Sequence, residues 1–376
     1  YTAGSCTVAV GHTSITCDTA EGAGKDLQWS VTVGGQASVV FTSQTTRYGD
    51  PVVQSRTDPA GGIPTAGGSS VGVNTVTLGG SNFGPSCTSC ATATYGGASG
   101  TEYGPVTCDV ILSHSSVRCP TVAGVGAGHR WKVTVLAQSS ALSSVSSSYT
   151  VPAITGLSGA AFDAPGDTRG GIAITLTGTS FGPAGHDKGL TVVYGPDSDR
   201  SKYTAAACSV VSQTRIDCQT APGVGTALKF TATVAEQSSG TPGYSDSIDY
   251  AAPTLTGLSG AAVSSPSSTT GGSQIVIAGD NYGPVGDSAT IAASYGPSGD
   301  RTKYTAASCT VISHTQINCN TAPGVGSGLQ WRVSVAGQTT SSFSGEDTAY
   351  QAPTISGLSG AAVSSPSSTT GGSQIV

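Results

Sequence analysis

The stretch Leu329-Gln-Trp-Arg-Val-Ser-Val335 puts Leu329, Trp331, Val333 and Val335 on one side of an extended chain, and Gln330, Arg332 and Ser334 on the other. Successive side chains of a strand point to opposite faces, so this alternation predicts a β-strand with one buried face. The pattern returns as Trp131, Val133 and Val135 against Lys132 and Thr134, and as Trp29, Val31 and Val33 against Ser30 and Thr32. Phe230, Ala232 and Val234 carry it again. Further strands are expected in Ser273–Gly279, Ala289–Tyr295 and Cys309–Ser313, and helical periodicity is absent.

Outward from these strands the chain is a repeat. Gly257–Val276 recurs letter for letter at Gly357–Val376. Pro51, Pro152, Pro253 and Pro353 open successive units, and Phe83-Gly-Pro, Phe181-Gly-Pro and Tyr282-Gly-Pro follow at matching positions. The expected organisation is the C-terminal half of a repeat at 1–50, complete repeats at 51–151, 152–252 and 253–352, and the start of another at 353–376. A unit of about 100 residues can enclose its own core, so each is read as a separate domain. Short strands divided by Gly- and Pro-rich turns make the expected fold all-β, a linear array of tandem β-sandwich domains. Both ends fall inside a unit and no Met occurs, which predicts a window on a longer polypeptide.

Charged residues make up only 10% of the chain, against roughly 25% in average globular domains. Ser and Thr together number 105, and Gly adds 54. Net charge is −6 with no basic patch, which gives no support to nucleic-acid or anionic-membrane binding. No apolar run approaches the length of a membrane span within this window.

Eight cysteines pair by position: Cys6 with Cys17, Cys108 with Cys119, Cys208 with Cys218 and Cys309 with Cys319. Each pair brackets a hairpin, and setting Cys309 opposite Cys319 also sets Val311 opposite Ile317 on one face. Val8/Ile15, Val110/Val117 and Val210/Ile216 behave alike. Register therefore favours disulfides over buried free thiols, and no set of ligands at zinc spacing is complete. Disulfides imply an oxidising compartment and place the chain outside the cell or at its surface. Cys87-Thr-Ser-Cys90 belongs to the 51–151 repeat alone and is read as a local loop-closing disulfide, with an intermolecular link as the alternative.

Taken together, the opening Pro-x-Ile/Leu-x-x-Leu, the run Gly271–Gly283, the hairpin Cys309–Cys319, Thr321-Ala-Pro-Gly-Val-Gly and the Trp331 strand ending at Gly337-Gln338 resemble the IPT/TIG family of immunoglobulin-like domains. The resemblance covers nearly the whole chain. It implies an early-set immunoglobulin-like sandwich with the hairpin cysteines bonded, as in extracellular members. Family members that bind DNA do so through an added domain and basic loops, which this chain lacks. The 51–151 repeat departs from the pattern at Gly61-Gly-Ile-Pro and Gly67–Val73, which puts its first loops in doubt.

Several motifs imitate active sites. Gly124-Val-Gly-Ala-Gly, Gly223-Val-Gly and Gly324-Val-Gly-Ser-Gly join strands and open no helix, so they are read as turns needing positive φ. His12, His114 and His314 recur at hairpin tips, with Gln213 in the remaining repeat, and are read as turn residues tolerating left-handed geometry. Asp197, Asp199 and Asp300 could chelate calcium, but the loop around Gly97 has no carboxylate pair. No catalytic arrangement repeats with the units; the expectation is a non-enzyme without cofactor or metal.

No Asn-x-Ser/Thr sequon occurs, whereas Ser264, Ser265, Pro266, Ser267, Ser268, Thr269 and Thr270 recur at Ser364, Ser365, Pro366, Ser367 and Ser368 onward. Ser/Thr/Pro clusters of this kind are candidates for O-glycosylation, on Pro after hydroxylation. The leading expectation is a structural extracellular rod or filament of tandem domains, carrying covalent O-glycans, whose partners are neighbouring copies of itself or further repeats. The alternatives are an adhesion or receptor ectodomain that binds protein or glycan through one module, and an accessory spacer of a larger enzyme.

Overall fold

The structure, a computed structural model, describes residues 1–66, 74–240, 244–286, 291–340, 343, 345–365, 369–372 and 374–376. Gly67–Val73 and the candidate modification positions Pro366, Ser367 and Ser368 lie outside the described residues. The chain forms strands throughout, with single helical turns at Ala160–Asp163, Ala261–Ser264 and Ala361–Ser364. It divides into two compact units. One holds 1–164, 171–221 and 227–248; the other holds 165–170, 222–226 and 249–376.

Residues 253–352 show the sandwich plainly. One antiparallel sheet runs in the order Thr254–Ser259, Gln274–Asp280, Gln316–Asn320, Ala307–Ser313; the other runs Tyr304–Thr305, Ile291–Gly296, Gln330–Val335, Gln338–Thr339. The chain passes from one sheet to the other at Ala306, between two strands that would otherwise be continuous. Ile275, Ile277, Val311 and Ile317 from the first sheet meet Ala293, Tyr295, Trp331, Val333 and Val335 from the second in one core. Trp331 stacks on Tyr295 at 4.1 Å between ring centroids, and its indole N–H donates to Thr348 Oγ1 at 2.9 Å. That bond satisfies the one polar atom a buried tryptophan brings with it. Residues 152–252 repeat both sheets strand for strand.

Three of the four cysteine hairpins share a local device. Val311 pairs with Ile317 and Thr310 with Asn318, while Ala307 pairs with Asn320. One extra residue, Ser308, is taken up before Cys309 at φ 53°. Ala207 and Ser5 precede Cys208 and Cys6 in the same conformation, at φ 49° and 46°. The bulge lets the strand leave one sheet for the other while keeping cysteine opposite cysteine. Cys6 is bonded to Cys17 and Cys108 to Cys119, with Cα atoms 4.0 and 4.4 Å apart. Cys208 is bonded to Cys218 and Cys309 to Cys319, each pair with Cα atoms 4.1 Å apart. The four bridges are not equally covered. Cys119, Cys218 and Cys319 are buried in their cores, whereas Cys17 is only half-buried.

Three expectations need correction. In 51–151 the strand Tyr103–Leu112 is unbroken and pairs with Cys87–Gly96 on one side and Ser116–Cys119 on the other, which merges the strands into one eight-stranded sheet. Cys87-Thr-Ser-Cys90, bonded to itself, therefore opens a strand and does not sit in a free loop. Second, the alternation at Trp29 predicts burial that 1–50 does not provide: Val31 is 39% and Val33 62% exposed. Alternation says which side of a strand is apolar; burial also needs a facing layer, and residues 1–50 pair only into two-stranded sheets, where 253–352 has two four-stranded sheets around one core. Third, the Cys6–Cys17 hairpin was expected to behave like that of Cys208 and Cys218, with its valine and isoleucine on a buried face. Val210 and Ile216 are buried beside Cys218, in a four-stranded sheet, but Val8 and Ile15 beside Cys17 are exposed, in a hairpin that forms a sheet of two strands only.

Candidate functional site

The arrangement that recurs is a set of contacts between successive repeats. Each Gly-x-Gly loop presents a small apolar residue: Ala23, Val125 and Val224 are 5%, 4% and 3% exposed. The glycine of the next repeat's Phe/Tyr-Gly-Pro receives it. A Cβ built on Gly84 would lie 2.9 Å from Ala23 Cβ; on Gly182, 2.4 Å from Val125 Cγ1; on Gly283, 2.5 Å from Val224 Cγ1. All three glycines have positive φ, at 83°, 98° and 86°. Glycine is thus required twice over, by backbone conformation and by the knob resting on it.

A glutamine clamps each joint. Gln138 Nε2 donates to the Tyr48 carbonyl at 2.8 Å, Gln237 Nε2 to Tyr149 at 3.0 Å and Gln338 Nε2 to Tyr250 at 3.0 Å. Gln138 Oε1 accepts the Gly24 N–H at 2.8 Å, and Gln237 Oε1 accepts the Gly126 N–H at 3.1 Å. A primary amide is the side chain that can serve a carbonyl and an N–H together. Gln237→Ala leaves both backbone groups without this partner, at a cost of roughly 1–3 kcal/mol. The expected result is faster amide exchange at Gly126, by about tenfold or more, with the strand amides of 152–252 unchanged; mass-spectrometric hydrogen exchange reads it.

Hairpin tips complete the joint. His114 Nε2 lies 2.8 Å from Glu21 Oε1, Thr168 Oγ1 lies 3.0 Å from His314 Nδ1, and Thr65 Oγ1 donates to Gln213 Oε1. His12 and His114 do adopt the left-handed conformation expected of them, at φ 67° and 60°. His314 is not among the residues with positive φ, and its ring is held between repeats. Burial first, and then the Arg169 guanidinium, hold its imidazole below the ordinary value.

The Gly-x-Gly loops are turns whose second glycine has positive φ: Gly126 at 99°, Gly225 at 112°, Gly326 at 115°. Their first glycine serves packing, because a Cβ on Gly324 would fall 2.8 Å from the rings of Tyr304 and Tyr350. The acidic loops are internally satisfied. Asp197 Oδ1 accepts from Arg200 at 2.6 Å, Asp199 Oδ1 accepts from Ser201 Oγ at 2.9 Å, and Asp300 Oδ1 accepts from Thr302 Oγ1 at 2.9 Å. Among the described residues no three His, Cys, Asp or Glu side chains converge as a metal site. Of the hydroxyl-rich candidates, Ser264, Ser265, Pro266, Thr269, Thr270, Ser364 and Ser365 are exposed and Ser268 is half-buried. Ser267 stands apart: it is 3% exposed, bridged to Tyr350, so a sugar there would need the chain locally open.

One buried group has no counterpart in the other repeats. His129 sits where Leu228 and Leu329 sit, 4% exposed, with its ring against the edges or faces of Tyr95, Tyr103 and Tyr149. Nε2 lies 3.1 Å from the Val125 carbonyl, while Nδ1 is buried without a partner. Burial therefore lowers the imidazole's affinity for a proton. A folded-state value below the unfolded one means that stability is complete above about pH 6.5 and falls as acid protonates the histidine of the unfolded chain first. His129→Leu is expected to remove this loss for the 51–151 core between pH 7 and 5, read by thermal unfolding at each pH. An unchanged pH slope would sink the assignment.

No family model matches the chain, and no curated protein matches it. Among solved structures, the plexin A4 extracellular region (domains 1 to 10) is 18% identical with a TM-score of 0.24, covering 74% of this chain and 21% of its own. A second plexin A4 structure is covered over 35% of its length, so the chain spans at most about a third of either. The FN1–FN3 domains of chicken CNTN1 are 13% identical (TM-score 0.26, 81% of this chain, 100% of that one), and invasin, a bacterial integrin-binding protein, is 13% identical (TM-score 0.25, 81% and 61%). TM-scores this low establish no kinship. The immunoglobulin-like fold rests on the strand pairings themselves.

Proposed function

We propose that this protein is a structural component outside the cell: a rod or filament of tandem immunoglobulin-like modules of the IPT/TIG type, coated with O-linked sugar at its exposed Ser/Thr/Pro segments. One observation carries the reading. The same clamp, a glutamine amide on the preceding repeat's tyrosine carbonyl, recurs at Tyr48, Tyr149 and Tyr250. A chain that only needed to keep domains apart would not need to repeat a half-buried hydrogen bond at each junction. The cross-strand disulfides support an oxidising location. Electron microscopy of single molecules tests the reading. The expected image is an extended particle with one narrow distribution of angles between neighbouring modules; beads at random angles would overturn it. Intact-mass spectrometry tests the coating separately, as mass above the peptide value in units of hexose or pentose.

A second reading, adhesion through the 51–151 module, is favoured by its merged eight-stranded sheet and the added Cys87–Cys90 bridge. Glycan-array or pull-down ligands that depend on residues 51–151 would distinguish it from a purely structural role.

A further inference from the structure

We infer that the cleft between the turn at 297–303 and the strand Gln330–Val335 binds an acidic oligosaccharide, whose carboxylate or sulfate is held by Arg301 and Arg332. The site belongs to the surface of one module and holds whether or not the array is a rod.

The cleft has a volume of about 500 Å³ and is lined by Ser298, Asp300, Arg301, Thr302, Arg332 and Thr340. Its charges set it apart from the same place one repeat earlier. There Asp197 Oδ1 accepts from Arg200 Nη2 at 2.6 Å, and Asp197 Oδ2 accepts from Lys229 Nζ at 3.3 Å. Arg200 first, and then Lys229, hold the Asp197 carboxyl below the usual carboxylate range. In 253–352 Ser298 stands at the position of Asp197, Gln330 at that of Lys229 and Arg332 at that of Thr231. Two arginines now share the cleft with one carboxylate, that of Asp300. Asp300 Oδ1 is already engaged by the Thr302 N–H at 3.2 Å and the Thr302 hydroxyl at 2.9 Å. Arg301 Nε and Nη2 donate to Gln330 Oε1 at 2.9 and 2.6 Å. A neutral amide oxygen fixes the direction of the guanidinium and leaves its charge for another anion. Among the described residues, no carboxylate forms an ion pair with Arg301 or Arg332.

The lining chooses the class of ligand. Guanidinium groups match the paired oxygens of a carboxylate or sulfate. No Val, Leu, Ile or aromatic residue lines the cleft, so it has nothing to anchor an apolar side chain of a peptide. Asp300 and the hydroxyls of Ser298 and Thr302 supply acceptors and donors for a ligand that is itself dense in hydroxyls. The turn is a surface feature of each complete module. Ala98 and Ser99, and Asp197, Ser198 and Asp199, are exposed at the same place in repeats that have complete successors.

Calorimetric titration of the full chain tests the site, with galacturonate tetrasaccharide, its methyl ester and sulfated cellotetraose as probes. An acidic sugar is expected to bind and the neutral ester is not, and the sugar that binds names the anion as carboxylate or sulfate. Ser298→Asp introduces the carboxylate that the 152–252 module carries there. It is expected to weaken binding about tenfold or more, as is Arg332→Gln, because each removes a hydrogen bond between charged groups. Both side chains lie outside the core, so the thermal unfolding of either variant is expected to match that of the parent. The site is overturned if neither acidic sugar binds, if the ester binds as well as the acid, or if either variant binds as the parent does. A tetraglutamate peptide that binds as tightly as the sugars would overturn the oligosaccharide as its occupant.

Discussion

Replacing Cys309 and Cys319 together by alanine is expected to destabilise the 253–352 module by about 3 kcal/mol. The bond closes a short hairpin with a sequence separation of 10. Without it the unfolded segment regains loop freedom worth roughly 2.5–3 kcal/mol in the chain-entropy model. The removed sulphurs add a packing term, because Cys319 is only 1% exposed and touches the core formed by Ile275, Ile317 and Trp331. For a domain of this size the loss corresponds to a fall in Tm on the order of 10–20 °C. Calorimetry of the full chain checks it: one component of the unfolding profile moves down, and those of modules keeping their disulfides stay in place. An unaltered profile would contradict the view that each hairpin bridge staples its own module.

Gly182→Val is the second large effect, and it strikes the joint. Gly182 has φ 98°, a conformation costing a β-branched residue on the order of 1–2 kcal/mol. Its new Cβ would also stand 2.4 Å from Val125 Cγ1, where no side chain fits unless the knob is expelled. Overpacking of this kind costs about 1–3 kcal/mol when the structure can shift, so the sum is roughly 2–5 kcal/mol. Much of that is relieved if the two repeats separate. The expected result is therefore an undocked knob: Val125 becomes exposed, the Gly126 amide loses its Gln237 partner and exchanges quickly, and small-angle scattering shows a broader distance distribution. Val125→Ala in the same background should recover part of the docking, because it removes the atom with which the valine collides. Rescue by that smaller residue separates a steric effect at the joint from simple misfolding of the 152–252 sandwich. No rescue, together with loss of protection in the Val192–Val234 strands, would show that Gly182 serves its own module's turn alone.

The sandwich was readable from patterns that are local by nature. Alternation at Leu329–Val335 places its apolar side correctly, with Leu329, Trp331, Val333 and Val335 all buried. The hairpin register, Val311 opposite Ile317, follows from pairing the cysteines and is the register observed. The joint was half legible. Val125 and Val224 were visible as parts of glycine turns, and Gln338 as the end of a strand, but nothing in either stretch says that the two kinds of residue serve one another. They are far apart in the chain: Gln237 meets Gly126 across 111 residues. Set against each other, the repeats keep each glutamine at a near-constant distance from the tyrosine carbonyl it holds, 90, 88 and 88 residues. His129 needed that same alignment, since it looks like an ordinary strand residue until Leu228 and Leu329 are set beside it.

Residue order alone carries the strand faces, the hairpin registers and the glycine turns, because side-chain alternation and cysteine spacing act over a few residues. Packing between distant segments settled everything else. Which glycine is a notch, which valine is a knob, and why Val33 is bare while its counterpart Val335 is covered depend on what packs opposite them. Apolar burial and a buried amide's hydrogen bonds are properties of pairs of surfaces, and a linear string specifies only one member at a time.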